Sequence, residues 1–319
     1  MLSRHLVDPE LLPVLGMLPS LEFSAAALPA IRAQMDAYFA GCDVPSLDGV
    51  TVKARQIRSP DGHEIALIIS KPSKAAPAPR PVVLHIHGGG YVIGSAASMN
   101  AANEQLVLEL DCVVVSVDYR LAPETTHPGP VEDCYVALKW LHNHATEIGI
   151  DPAHIAISGE SAGGGLAAAL ALLARDRGEV NIIHQHLIYP MIDDRTCTSA
   201  DPHSFTGQLV WTPAANHFGW SALLGHEPGR DGVAPYAAAA RAEDLAGLPS
   251  TFISVGALDL FCEEDIEYAR RLMRAGVPTE LHVYPGAFHG FDAATDAHIA
   301  RTARSTSLAA LRKALHFVA

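Results

Sequence analysis

The chain has 319 residues, of which 49% are hydrophobic and 18% charged, and its formal net charge is −13. That length and apolar content suit a globular chain with a sizeable core, as one large domain or a domain plus a lid, and exclude a disordered one. The acidic balance argues against binding to a nucleic-acid backbone, and no apolar run approaches the length of a membrane span.

Residues 1–45 are helical in pattern, with Leu11, Leu12, Val14, Leu15 and Leu18 on no clean strand period. Asp8, Glu10 and Pro13 interrupt the apolar start, which also lacks the basic opening and long apolar core of a signal peptide, so the cytoplasm is expected. Residues 50–58 and 63–71 look like two strands joined at Pro60-Asp61-Gly62, opening a sheet as an antiparallel edge. After a Pro/Ala linker from Lys71 to Arg80, strands and helices alternate. Strands are expected at 81–87, 112–117, 154–158 and 182–189, with helices near 97–110, 130–148 and 161–176. The rhythm resumes with a strand at 251–256, a helix at 263–275 ended by Gly276, a strand at 279–284 and a last helix at 296–317. Such alternation predicts a mainly parallel sheet with helices on both faces. Cys42, Cys112, Cys134, Cys197 and Cys262 have no regular spacing and are expected as free thiols. Nothing in the motifs implies a metal or a cofactor.

Four places in this series carry chemistry. His87-Gly88-Gly89-Gly90-Tyr91 follows a buried-strand pattern. Consecutive glycines expose backbone N–H groups, and Gly88 and Gly89 are candidates to hold an oxyanion, with His87 fixing the loop. Gly159-Glu160-Ser161-Ala162-Gly163 lies between a short β-branched strand and an Ala/Leu-rich helix. A serine at such a strand-to-helix turn is presented as a nucleophile, and the Ala162 N–H is a third oxyanion donor. The alternative is a Gly/Ser turn with Ser161 as a helix cap.

Asp259 stands just after the strand ending at Gly256, on the same sheet edge as the serine. It is favoured over Glu263, Glu264 and Asp265, which fit the negatively charged first turn of the next helix. His289, in Gly286-Ala287-Phe288-His289-Gly290-Phe291, follows a late strand and can supply a neutral imidazole base near pH 7. Any one of seventeen histidines is a weak candidate alone; the order Ser161, Asp259, His289 singles this one out.

Residues 192–225 break the rhythm, and Phe205, Leu209, Val210, Trp211, Phe218 and Trp220 concentrate there in a chain with only 6% aromatics. They suit a lid. Phe205, Leu209, Val210 and Trp211 are candidate substrate contacts, together with Tyr91 after the glycines and Leu260 after the acid. Packing of a cap onto the core explains any single one of these as well.

Taken together the chain resembles the hormone-sensitive-lipase-like branch of the α/β-hydrolases, which includes bacterial carboxylesterases and arylacetamide deacetylases. The matching blocks are His87-Gly88-Gly89-Gly90, Asp118-Tyr119-Arg120-Leu121-Ala122-Pro123-Glu124, Glu132-Asp133-Cys134-Tyr135, Gly159 to Gly164, Asp259, and Phe288-His289-Gly290-Phe291. The resemblance implies an α/β-hydrolase fold with a helical cap: a cap segment at 1–45, a catalytic part at 46–191, a cap insertion at 192–225 and a second catalytic part at 226–319. It implies Ser161 as nucleophile, His289 as base, Asp259 as orienting acid, and an oxyanion hole of Gly88, Gly89 and Ala162. The partner is a small ester of short to medium acyl chain, with no cofactor and a possible homodimer.

Two positions depart from the branch. Glu160 stands where Asp is frequent, and Asp259-Leu260-Phe261 lacks the proline that often follows the acid. Arg120 and Glu124 are expected to pair beneath the glycine loop. An amidase or thioesterase shares this machinery, whereas receptors built on the branch lose the histidine present here, and peptidases on this scaffold usually carry an extra domain.

Overall fold

A computed structural model describes residues 3–17, 21–41 and 46–316; Leu18 and Cys42 fall outside them. Eight strands form one sheet: β1 (Val50–Arg58), β2 (Glu64–Pro72), β3 (Arg80–Ile86), β4 (Val113–Asp118), β5 (Ile150–Glu160), β6 (His184–Ile188), β7 (Ser250–Gly256) and β8 (Thr279–Tyr284). Their spatial order is β1-β2-β4-β3-β5-β6-β7-β8. The helices are α1 (Leu12–Leu15), α2 (Leu28–Gly41), α3 (Asn100–Leu110), α4 (Gly129–Asn143), α5 (Ala145–Ile148), α6 (Ala162–Arg177), α7 (Pro213–Leu224), α8 (Cys262–Arg274) and α9 (His298–His316).

The expected edge hairpin forms, with Arg58 opposite Glu64 across a turn whose Gly62 has φ +94°. β1 and β2, and β2 and β4, pair antiparallel; from β4 to β8 every pairing is parallel. Period-2 alternation explains the two covered faces. Val82, Leu84, Val113, Val115, Ile155 and Ile157 pack with α4 and α6 residues such as Leu138 and Leu170. Their neighbours Val83, Val114 and Ala156 turn the other way, onto Val107 of α3 and Leu311 and Leu315 of α9. β-branched residues on both sides of one strand suit a sheet buried on both faces.

Beyond shifts of a few residues at element ends, two elements depart from the sequence reading. The helix expected over 130–148 is two pieces, because His144 leaves the helical conformation and its ring Nδ1 bonds the Trp140 carbonyl. The strand expected at 154–158 starts earlier, at Ile150, where Arg80 of β3 faces it before the register shifts. No described helix is long and apolar enough to cross a membrane.

The order reverses around β3: the chain runs from β3 to β4 on one side, then crosses back to β5 on the other. A crevice opens at the carboxyl ends of strands where the direction of winding switches. The glycine-rich segment leaves β3 there and the serine turn leaves β5 beside it.

Candidate active site

Ser161 sits at φ 56°, ψ −122°, a strained conformation held from three sides. Its N–H donates to the Ile188 carbonyl, and its own carbonyl accepts from Met191 N–H and Gly165 N–H. The turn closes only because its neighbours are glycines. A Cβ on Gly163 would overlap the carbonyls of Ile86 and His87, and one on Gly159 would overlap the Gly163 backbone. After them the Ala/Leu run of α6 buries nearly all of its length, and Gly178, in the left-handed region, ends it.

β7 delivers Asp259 and the loop after β8 delivers His289. His289 Nδ1 lies 2.8 Å from Asp259 Oδ2, and His289 Nε2 lies 2.9 Å from Ser161 Oγ. The second carboxylate oxygen accepts the Phe261 N–H at 3.0 Å. Asp259 is fully buried, while Ser161 and His289 keep about 7% exposure each. A buried carboxylate beside Nδ1 favours the tautomer with its proton there, which leaves Nε2 as the acceptor for the serine hydroxyl.

The glycine loop borders this line. Gly88 approaches so closely that a Cβ on it would stand 2.9 Å from the Glu160 carbonyl. Gly89 has φ +121°, and its carbonyl accepts from Val92 and Ile93 N–H. Among the described residues the N–H groups of Gly88, Gly89 and Ala162 donate to no protein acceptor. His87 fixes the loop, as expected: its Nδ1 is 2.8 Å from the Gly88 carbonyl and its ring stacks on Tyr119 at 4.2 Å. Burial lowers its pKa to about 4, so it is a neutral donor.

The pair expected between Arg120 and Glu124 does not form. Arg120 takes both oxygens of buried Asp133, and Glu124 pairs with Arg32 of α2 at 2.7 Å. Asp133 is the nearer carboxylate because α4 brings it against the strand end, a contact that one sequence block cannot reveal. Glu264 and Asp265 do open α8 as expected, but as buried carboxyls, not as a charged surface turn. Burial raises both pKa values well above the usual range, and Glu264 accepts the N–H groups of Ile192 and Asp193.

The candidate substrate contacts separate. Trp211 stands beside the site, its ring 6.2 Å from that of His289 and so close to Gly90 that a Cβ there would collide with it. Val210 precedes it in the left-handed region at φ 60°. Leu260 is buried against Gly207. Leu209 packs with Val7, Leu11, Leu258 and Phe288, which ties the N-terminal segment to the core. Phe205 is 41% exposed, edge-on to His203. Tyr91 requires correction: it is fully buried against Trp220, and its hydroxyl donates to the Met191 carbonyl, so it supports the site from behind.

Phe23 escaped the sequence reading. It meets Trp211 edge-on at 5.6 Å and stacks on Phe218 at 5.9 Å. Its only signal is one aromatic between Leu21 and an alanine run, with no strand or helix period to mark it. Tyr189, whose ring meets His289 at 4.7 Å, was missed as well. The four described thiols are free, and burial raises the pKa of Cys112 to about 12 and of Cys197 and Cys262 to about 11, so none is a competing nucleophile at neutral pH.

A parallel sheet whose central strand ends in a strained serine, with histidine and aspartate aligned behind it, defines an α/β-hydrolase. Comparison with known proteins agrees. A family model described as an alpha/beta hydrolase fold matches residues 83–293. Esterase LipI of Mycobacterium tuberculosis is 35% identical over 318 residues, covering 98% of this chain and 97% of the relative. Carboxylesterase NlhH of the same species is 36% identical over 242 residues, 74% of each chain. The solved structure of a bacterial heroin esterase superposes with a TM-score of 0.91 at 43% identity, over 98% of this chain and 99% of that one. The chain belongs to this alpha/beta hydrolase family, in its hormone-sensitive-lipase-like esterase branch, and is an esterase.

Proposed function

We propose that the protein hydrolyses carboxylic esters of short to medium acyl chain through an acyl-enzyme on Ser161. His289 takes the hydroxyl proton as Oγ attacks the ester carbonyl, and Asp259 holds the imidazole and stabilises the imidazolium. The oxyanion is received by the N–H groups of Gly88, Gly89 and Ala162. His289 then protonates the departing alcohol, and a water activated by the same imidazole releases the acid.

The observation that carries this reading is the unbroken line Asp259–His289–Ser161 at 2.8 and 2.9 Å, beside three N–H groups that donate to no described protein acceptor. The small residual exposure of Ser161 and His289, with Trp211 and Phe261 against the imidazole, supports a compact acyl group. The esterase and carboxylesterase names of the relatives support an ester over an amide or a thioester. In the same reading the N-terminal segment and residues 192–225 form one cap. Phe23 on Trp211 and Phe218, and Ser3 on Gln208, are its joints.

The test is initial rates on p-nitrophenyl esters of increasing acyl length, wild type beside Ser161→Ala. A maximum at short chains that falls by roughly a million-fold in the variant is expected. Folded wild type inactive on every ester, but active on an amide or thioester, would replace this assignment.

A further inference from the structure

Beyond the three residues of the relay, one side chain joins the parts that must stay aligned. Tyr189 follows β6 in a short segment that grips the serine turn on both sides: the Ile188 carbonyl accepts the Ser161 N–H, and Met191 N–H donates to the Ser161 carbonyl. Its own N–H donates to the Ser254 carbonyl of β7, the strand that delivers Asp259. Its side chain turns toward the histidine loop. The ring meets the imidazole of His289 edge-on, at 4.7 Å and 63°, and the hydroxyl donates to Asp292 Oδ1 at 2.9 Å, three residues beyond His289. One residue therefore touches the element behind the serine, the element behind the acid and the loop that carries the base.

Tyr189 does this at a cost. Its φ is +35°, in the left-handed region that a residue with a Cβ rarely adopts. Of the five described non-glycine residues with positive φ, four border this site: Tyr91, Ser161, Tyr189 and Val210. Strain of this kind persists only where the surroundings over-determine it, and it gathers where geometry is held for a purpose. Burial first, and the neighbouring Asp292 and Glu160 carboxyls next, push the Tyr189 phenol far up, so it remains a donor at every working pH.

We propose that Tyr189 is a positioning residue for His289: its ring backs the imidazole and its hydroxyl ties the loop through Asp292, holding Nε2 in line with Ser161. The inference rests on the reading of His289 as the base. The ionisable groups around the imidazole are Asp259, Asp292 and Tyr189 itself, with Glu160, held by His85, acting on Asp292 and Tyr189. Loss of the hydroxyl leaves the Asp292 carboxylate without its donor near the imidazole, which favours the imidazolium and moves its titration upward.

The test compares Tyr189→Phe, Asp292→Ala and the double variant with wild type, by kinetics on p-nitrophenyl acetate and by an NMR titration of His289 in the resting protein. Expected are a kcat about tenfold lower in each single variant with KM within twofold, and a double variant no slower than the slower single one. In Tyr189→Phe the acid limb of the rate profile and the NMR titration of His289 should both move upward, and in Asp292→Ala, which removes a carboxylate near the imidazole, both should move downward. A Tyr189→Phe variant with wild-type kcat and an unmoved His289 titration would overturn the proposal. So would losses that multiply in the double variant. Should the wild type prove inactive on esters, the assignment of function fails, and the NMR titration still decides the positioning role by itself. Asp292→Asn, which keeps an oxygen for the Tyr189 hydroxyl, separates a lost tether from a misfolded loop: it should recover most of the kcat lost in Asp292→Ala, and failure to do so counts against the tether.

Discussion

On the proposed reading, Trp211 is the side chain on which the fit of an ester most directly depends. Its ring lies against Gly90, close to His289, and its Nε1 donates to Asn216 at 3.1 Å, so the indole is anchored and does not swing. Trp211→Ala removes a wall on the side where the glycine loop meets the cap. We expect kcat/KM for longer or bulkier esters to rise relative to acetate by about tenfold, the scale at which a hydrophobic pocket discriminates a few methylenes. An unchanged profile across acyl lengths would mean that Trp211 only packs the cap. At this scale the sequence was most legible where chemistry demands a residue type in a fixed local setting. Ser161, Gly88 and Gly89 are recognisable from their neighbours alone, because the turn and loop tolerate few alternatives. Tyr91 was misjudged for the converse reason: adjacency in sequence to the glycines does not say which way a side chain leaves a strained loop.

Elements align these residues, and α2 does so from outside the sheet. Arg32 donates from Nε to the Val92 carbonyl and from Nη2 to the Ala122 carbonyl, both at 2.8 Å, and it also pairs with Glu124. The first bond fastens the end of the glycine loop and the second the segment that follows β4; the third lies at the surface, where Glu124 is 64% exposed. Arg32→Ala should therefore cost about 1–3 kcal/mol of unfolding free energy, since two carbonyls lose a charged donor. Glu124→Ala should cost under about 1 kcal/mol because solvent screens that pair. Urea unfolding of the two variants decides it, and equal losses would assign the stabilisation to the ion pair. Strands and helices were foreseeable here because Gly, Pro and β-branched runs punctuate the chain. The partners of Arg32 were not, since they lie 60 and 90 residues away with no periodic signal.

For the whole molecule, acid sensitivity follows from histidines sealed in the sheet. His184 and His186 of β6 face α9, bonded to Ser250 and Ser307, and His186 stacks on Phe252 at 4.4 Å. Burial lowers the pKa of His184 to about 4 and that of His186 well below its usual value. In the unfolded chain each titrates near ~6.5. As pH falls below that value the unfolded state takes up protons that the folded state refuses, so stability declines through the window down to about 4. Buried Glu264 and Asp265 act in the opposite sense, because their raised folded pKa values favour the native state at low pH. His186→Gln isolates one histidine. Between pH 6 and 5 its unfolding free energy should fall less steeply than that of wild type, by about 1.4 kcal/mol per pH unit. Parallel curves in urea melts at the two pH values would refute this.

The N-terminal segment draws these scales together. Ser3 bonds Gln208, Asp8 N–H donates to the Gly286 carbonyl, Glu10 accepts the His298 N–H, and Phe23 leans on Trp211. These partners lie between roughly 190 and 290 residues downstream. During synthesis, residues 3–23 leave the ribosome well before the partners on which they dock. Asp259 and His289 arrive in that same late stretch. On the proposed reading, a nascent chain carries Ser161 for a further 128 residues before the imidazole of His289 is made, so the hydroxyl waits without its proton acceptor until the late strands are in place.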